Sequence, residues 1–312
     1  MKTNQALCFV ALFSSSLNAQ VLPSDVVVDG KTIGDWSAQY WQWILPVPTN
    51  QSPAFDPDGS FAQVNQPDGP VFFVSSVFQL SATVTRSFSV PEGKYLFVPL
   101  LTHFNDNVDM NPPLTVEQLR ELTSAGVELI DKLHANIDGV AVPDLFEHRA
   151  ASPVFGINFE STDHLYTWLL GHPFSGLNDP IVAEGYYLML EPLPPGQHVI
   201  NFGAGVGPPI NFSKDITAYI TVLPVPLSRR MDELLEKVIN ANLPSNRLQP
   251  LKASLEAARA AFARDTPQAG VNQLRAFQKK VGPQIGSSHP EVVAEWIQFS
   301  EEIIEQVKAN IE

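Results

Sequence analysis

Two prolines divide this chain into parts that obey different hydrophobic periods. Before Leu223-Pro224-Val225-Pro226 the apolar residues recur at period two or in short continuous runs, separated by Gly, Pro and Asp turns; after it they recur at spacings of three and four. Proline lacks the amide donor that a strand ladder or a helix interior needs, so neither kind of element is expected to continue through this segment. Charge changes at the same place. Of 33 Asp and Glu and 19 Lys and Arg, the residues from Leu227 onward hold 11 of each, which leaves 22 acids against 8 bases before the prolines. The reading is two modules: an acidic one over residues 20–226 and a neutral helical one over 227–312.

With 312 residues, 44% of them hydrophobic, the chain can bury a substantial core, and one large domain or two smaller ones are expected. A net charge of -14 argues against a nucleic-acid partner, because displacing counterions from phosphates needs clustered Lys and Arg. The acidity suits cation binding or solubility outside the cell. At the N-terminus, Lys2 precedes the eight-residue apolar run Ala6–Phe13, and Ser14–Ala19 supplies small and polar residues before Gln20. That layout predicts a secretory signal peptide over 1–19, too short for a stable span, and a secreted or periplasmic mature protein. No later run reaches membrane length, so no membrane span is expected. Cys8, the only cysteine, falls inside the signal. A mature chain without thiols excludes disulfides, cysteine nucleophiles and thiolate metal sites, leaving His, carboxylate or carbonyl oxygen as metal ligands.

Ile33, Trp36, Tyr40, Trp43 and Ile44 recur at helical spacing with Asp35, Gln39 and Gln42 opposite, which predicts a packing helix closed by Pro46 and Pro48. Trp41 lies off the centre of that stripe and is the aromatic here placed to face a ligand. From Pro70 the pattern turns to strands. Val71–Val74 is apolar on both faces, Val84, Phe88 and Val90 alternate with Thr85, Ser87 and Ser89, and Tyr95–Val98 follows a turn at Pro91–Lys94. Further strands are predicted at 135–142 around an Asp138-Gly139 turn, and at 154–159, 186–190, 198–202 and 216–222. One helix interrupts them, opened by a Thr115-x-x-Gln118 capping box and expected to bury Leu119, Leu122, Leu129 and Leu133. Many short strands without regular strand–helix alternation predict an antiparallel β-sandwich, jelly-roll-like, behind a Trp-rich N-terminal helix.

Four segments carry a resemblance: Trp36-x4-Trp41-x-Trp43; Gly69-Pro70-Val71-Phe72-Phe73; Arg86-x3-Val90-Pro91-x-Gly93-Lys94-x2-Phe97-x-Pro99; and Gly185-Tyr186-Tyr187 followed by Leu193-Pro194-Pro195-Gly196-x-His198-x-Ile200. They resemble a group of uncharacterised secreted bacterial β-sandwich proteins over most of residues 30–222. The resemblance implies a secreted β-sandwich and carries no activity with it; the stretch from His103 to Asp109 departs from it.

The second module reads as four helices. Met231, Leu234, Leu235, Val238 and Ile239 make one stripe, Leu251, Leu255, Ala258 and Phe262 a second, and Leu274, Phe277 and Val281 a third after Thr266-Pro267. A fourth opens with a Ser288-x-x-Glu291 capping box and runs through Val292, Trp296, Phe299, Ile303 and Val307. Short connections predict a small antiparallel α-helical bundle. Leu251-x3-Leu255-Glu256-x-Ala258, with Ala269 and Gln273-Leu274-x-Ala276-Phe277, resembles the FIMAH-type helical domain found at the ends of secreted bacterial hydrolases and lyases. That resemblance implies an accessory role rather than a catalytic one.

No G-x-S-x-G elbow, H-E-x-x-H helix, P-loop or strand-anchored G-x-G-x-x-G is present, which removes the commonest hydrolase and nucleotide classes. Three patterns can still carry chemistry. Thr102–Asp109 places oxygen ligands after a strand, so Asn105, Asp106 and Asp109 are candidates for calcium, with a solvated turn as the alternative because EF-hand spacing is missing. Asp56-Pro57-Asp58-Gly59-Ser60 is a weaker version of that pattern. Glu160–Glu184 is rich in loop residues and carries Asp163, His164, Tyr166, Trp168, His172 and Asp179. If extended, it points His164, Tyr166 and Trp168 to one side as an aromatic platform for sugar rings beside a titratable imidazole; the alternative is a helical turn of Leu165, Trp168 and Leu169 that plugs the sandwich. Arg86 shares a face with Val84 and Phe88, so it either contacts a ligand at the rim or pairs with a carboxylate inside. His198 shares a face with Ile200 and Phe202, where a hydrogen-bonded core histidine competes with a ligand.

The expected function is binding of an extracellular polymer or cell-surface component, carbohydrate among the candidates, through the acidic module, with the helical tail for attachment. The competing expectation is a hydrolase or lyase acting on a polysaccharide or another polymer. It would use His103, His148, His164, His172 or His198 with a nearby carboxylate or Tyr as acid and base. A structural envelope protein is the third. Two histidines converging with an acid or Tyr in one cleft favour the enzyme; scattered histidines favour the binder.

Overall fold

The computed structural model describes residues 20–79, 81–285, 289–309 and 311. The expected signal segment 1–19 with Cys8, and Ser288 of the expected capping box, lie outside them.

A short hairpin, β1 (Val27–Val28) and β2 (Lys31–Thr32), leads into α1 (Ile33–Ile44). Reciprocal bonds fix its start: the Thr32 hydroxyl accepts from the Asp35 amide at 3.2 Å while the Asp35 carboxylate accepts from the Thr32 amide at 2.9 Å. Strands β3 (Val71–Phe73), β4 (Ala82–Pro91) and β5 (Tyr95–Asp106) follow, then α2 (Val116–Glu128) behind the predicted Thr115–Gln118 capping box. β6 (Lys132–Ile137) and β7 (Val140–Ala141) turn through Asp138 and Gly139, at φ of 50° and 85°, the left-handed pair that a two-residue hairpin favours. β8 (Arg149–Ala151), β9 (Phe155–Phe159), α3 (Leu165–Leu170), β10 (Gly176–Leu190), β11 (Gly196–Val206) and β12 (Phe212–Leu223) complete this part.

The strands form two open five-stranded sheets besides the β1–β2 hairpin. One has the order β3-β5-β10-β8 with β9 also on β10; the other has the order β4-β12-β11-β6-β7. Pairing is mostly antiparallel. The expectation of a wholly antiparallel arrangement fails at β3–β5 and β4–β12, which run parallel. Both exceptions are edge strands: the chain passes from β3 in one sheet to β4 in the other and back to β5, so neither joins its neighbour through a hairpin.

β10 spans 15 residues, far beyond the predicted 186–190, so much of the loop-rich segment 160–184 is strand and helix. Its odd-numbered residues Ile181, Ala183, Tyr187 and Met189 share a cluster with α1, while Tyr186, Leu188 and Leu190 share another with Ile200, Phe202, Ile216 and Ile220 of the second sheet. Coverage of both faces explains the unbroken apolar run at its end. α1 is buried on nearly all sides. Trp41 is only 3% exposed and packs on Phe104, with ring centroids 4.5 Å apart, and on Phe78, so it does not face a ligand as expected. In α2, Leu119 is buried as predicted, whereas Leu122 and Leu129 are half exposed, because the row Leu119, Thr123 and Val127 is the one that meets the sheet.

After the prolines come α4 (Leu227–Asn240), α5 (Ser245–Ala263), α6 (Pro267–Ile285) and α7 (Pro290–Ala309). All four contribute to one apolar cluster that includes Leu234, Leu255, Phe277 and Trp296. Ile239 departs from its predicted stripe and is 41% exposed. No helix of the described residues is long and apolar enough to cross a membrane. The chain divides into two compact units between Leu223 and Pro224.

Residues 20–223 and 224–312 expressed separately are each expected to melt cooperatively in calorimetry; loss of folding in either fragment would show one interdependent core. Phe202, fully buried where the two sheets meet, sets the scale within the first unit. Phe202→Ala is expected to lower its stability to denaturant by about 3–5 kcal/mol.

Candidate functional site

Beyond a bulge at Tyr186/Tyr187, the row of β5 that faces α2 consists of Leu101, His103 and Asn105. Asn105 donates to the Thr123 hydroxyl at 2.9 Å, and Arg149 joins Glu184 of β10 at 2.6 Å to the Ser124 hydroxyl at 2.8 Å. Gly126 lets the helix come this close: a methyl group there would lie 3.0 Å from Cδ2 of His103 and 3.3 Å from its Nε2. The imidazole is packed on one side by α2 and keeps an exposed edge on the other.

Where α2 ends, a pocket of about 310 Å³ opens between β5, the turn after α2 and the β11–β12 connection. Ile130, Val206 and Phe212 wall it, and Leu129 and Ile210, each about half exposed, flank its mouth. Two basic side chains line it. His103 forms no hydrogen bond among the described residues, and desolvation lowers its pKa below the usual imidazole value, which favours the neutral form. Lys214 stands on the inward row of β12, in register with Phe212, Ile216, Ala218 and Ile220. Its Nζ donates to the Val77 carbonyl at 2.5 Å, and burial drives its pKa down to about 8. A neutral imidazole and an ammonium beside an apolar wall can accept or donate hydrogen bonds to one polar group while apolar surface holds the rest of a ligand.

The other predicted histidines are dispersed. His164 caps α3: its Nδ1 accepts from the Thr167 amide at 3.0 Å and its Nε2 donates to the Phe174 carbonyl at 3.0 Å, leaving no nitrogen for catalysis. Both nitrogens of His198 face acceptors, the Asp138 carboxylate at 2.7 Å and the Pro194 carbonyl at 2.8 Å, so the side chain fastens the β6–β7 turn to β11. His172, on the surface, donates to Asp109 at 2.6 Å, and that bond raises its pKa. His148 lies beside β8, with its pKa lowered by desolvation. Of the five histidines advanced as acid or base, only His103 lines the pocket.

The expected aromatic platform is not formed. Residues 165–170 are helical, which turns Tyr166 inward to stack on Phe159 and leaves Trp168 outside, 53% exposed, with Phe55 at its edge. The Tyr166 hydroxyl donates to Asp106 at 2.7 Å, and burial together with this carboxylate raises its pKa far above the phenol value. Asp106 also accepts from Asn178 at 3.0 Å and from the Val108 amide at 2.9 Å. Asn105 points to the opposite face of β5, and Asp109 is held by His172, so the three proposed calcium ligands do not converge. Among the described residues no three His, Cys, Asp or Glu side chains could hold a metal ion together. Arg86 is a buried clasp rather than a ligand contact: it donates to the backbone carbonyls of Asp56 at 2.9 Å and Ser75 at 2.7 Å, and the Asp56 carboxylate acts on its charge without a direct bond to it. The Asp56 carboxylate instead accepts backbone amides of its own turn.

Lys214 was not among the residues the sequence singles out. Its signal is present: the period-two row of 216–222 continues back through Lys214 to Phe212, placing a lysine among core residues.

No protein-family model and no curated protein matches the chain. A solved structure of PbICP-C in complex with falcipain-2 aligns at 10% identity and a TM-score of 0.22, covering 50% of this chain and 100% of that one, a likeness too small to carry an argument about fold or function.

The Lys214 site makes a signed pH prediction. A lysine whose folded pKa is about 8, below its ordinary 10.5, holds fewer protons folded than unfolded between those values, so its contribution favours folding increasingly as pH rises from 8 to 10.5. The Tm difference between the wild type and Lys214→Met is expected to move in the wild type's favour across that window; a difference flat with pH would show an ordinary surface amine.

Proposed function

We propose that this is a secreted binding protein: a jelly-roll-like β-sandwich that recognises an extracellular polymer or cell-surface component, followed by a FIMAH-like helical bundle that serves attachment. The observation that carries the proposal is the pocket lined by His103 and Lys214, whose mouth presents Leu129 and Ile210 to solvent within a strongly acidic module. Apolar surface open to water at a concave site is what a binding site for an apolar group requires. Trp41 and Tyr166 are buried, so of the aromatics expected to meet a ligand only Trp168 is open to a sugar ring, and an apolar substituent of the polymer is the better recognition element.

Dispersal of the histidines supports binding over hydrolysis. One observation favours the hydrolase or lyase reading: His103 lines the pocket without a hydrogen bond among the described residues, and desolvation favours its neutral form, as a general base would need.

Retention and product release separate the two. The mature protein, immobilised and exposed to polysaccharides and acylated envelope fractions, is expected to retain the acylated material without releasing products. Ile210→Asp at the exposed mouth should abolish that retention. Product release that disappears in His103→Ala would sink the binding reading in favour of the enzyme.

A further inference from the structure

One inference rests on that reading and concerns the chemistry of the occupant. Lys214 interrupts a row of apolar core residues, and its ammonium carries three protons against a single hydrogen-bond acceptor among the described residues, the Val77 carbonyl. The Phe78 ring lies 5.9 Å from Nζ. Two of the acidic groups nearby are engaged elsewhere. Asp215, the next residue, points to the outer face and accepts from His134 at 3.0 Å and Asn201 at 2.7 Å. Glu184, opposite His103 in the β5–β10 ladder, is bound by Arg149. Asp131 lies against Gly207 in the connection beyond the pocket. No protein charge offsets the desolvation of Lys214.

A cation withdrawn from water without a counter-charge is costly, and an anion brought to it recovers part of that cost through a charge-assisted hydrogen bond. The remaining wall has nothing to offer an anion but the imidazole of His103, and much to offer a hydrocarbon. We infer that the pocket binds an amphipathic carboxylate of the medium-chain alkanoate type, its carboxylate at Lys214 and its chain against Ile130, Val206 and Phe212 toward the mouth. The volume of about 310 Å³ is at the small end of ligand pockets and suits one chain rather than a bulky ring system.

The test is calorimetric titration of the mature chain, residues 20–312, with decanoate, 1-decanol and decyltrimethylammonium, each below its micelle concentration. Decanoate is expected to bind about tenfold or more tightly than decanol, the value of one charge-assisted bond, and the cationic analogue not at all. Lys214→Met should remove the preference for decanoate while leaving decanol binding in place, and Lys214→Arg should keep it. If Lys214→Met fails to fold, Lys214→Gln takes its place. Equal affinities for decanoate and decanol in the wild type would overturn the carboxylate inference and leave the pocket as an apolar binding site. Failure of all three to bind would overturn the inference and, with it, the pocket as the binding site.

Discussion

Strand β10 is covered on both faces, and the first unit is arranged around that coverage. One face meets α1 through Ile181, Ala183, Tyr187 and Met189; the other meets the second sheet through Tyr186, Leu188 and Leu190. A strand in this position must be apolar in both registers, and every polar group that enters its surroundings needs a dedicated partner. Asp106 receives Tyr166, Asn178 and the Val108 amide; Arg86 donates to two backbone carbonyls, while its Nη2 is buried without a partner among the described residues. Truncating Arg86 would take this donor from both carbonyls, at about 1–3 kcal/mol each.

The candidate site arises where this coverage changes hands. Near Leu188 the inner face of the first sheet packs on the second sheet; past the bulge at Tyr186 it packs on α2 instead. The helix stops at Glu128, the β11–β12 connection turns back at residues 207–211, and neither fills the corner beside Leu101 and His103. The pocket is thus a consequence of two layers of different length meeting one long sheet. Lys214 and His103 are basic groups at that corner inside a module whose surface is acidic, which gives the pocket a polarity opposite to its surroundings.

Much of the architecture was legible in the chain. The prolines at 224 and 226 stand where the compact units divide, the expected capping box at Thr115 begins a helix, and Asp138-Gly139 makes its hairpin; the box at Thr32 was not read from the chain. What misled was composition. Glu160–Glu184 has the residues of a loop, yet Leu165–Leu170 is helical because Leu165 and Tyr166 find a buried place beneath α1, with their amides bonded to Val47 and Leu45. Aromatic and histidine residues in that segment looked like one binding surface; burial made His164 and Tyr166 structural, while Trp168 and His172 stay exposed apart from them. Parallel edge pairing was invisible because it depends on the chain crossing between sheets, which no local pattern records. The site itself was half legible: His103 stood out as a histidine at a strand end, while Lys214 became informative only once the inward row of β12 was known.

The central claim is that the first unit binds its ligand in the His103–Lys214 corner. Methyl-selective NMR of residues 20–312 titrated with decanoate tests it most directly. The account predicts saturable shifts in the methyls of Leu101, Leu129, Ile130, Val206 and Ile210, all of which line the pocket. Shifts confined to the helices after Pro226, or to the surroundings of Trp168, would contradict it.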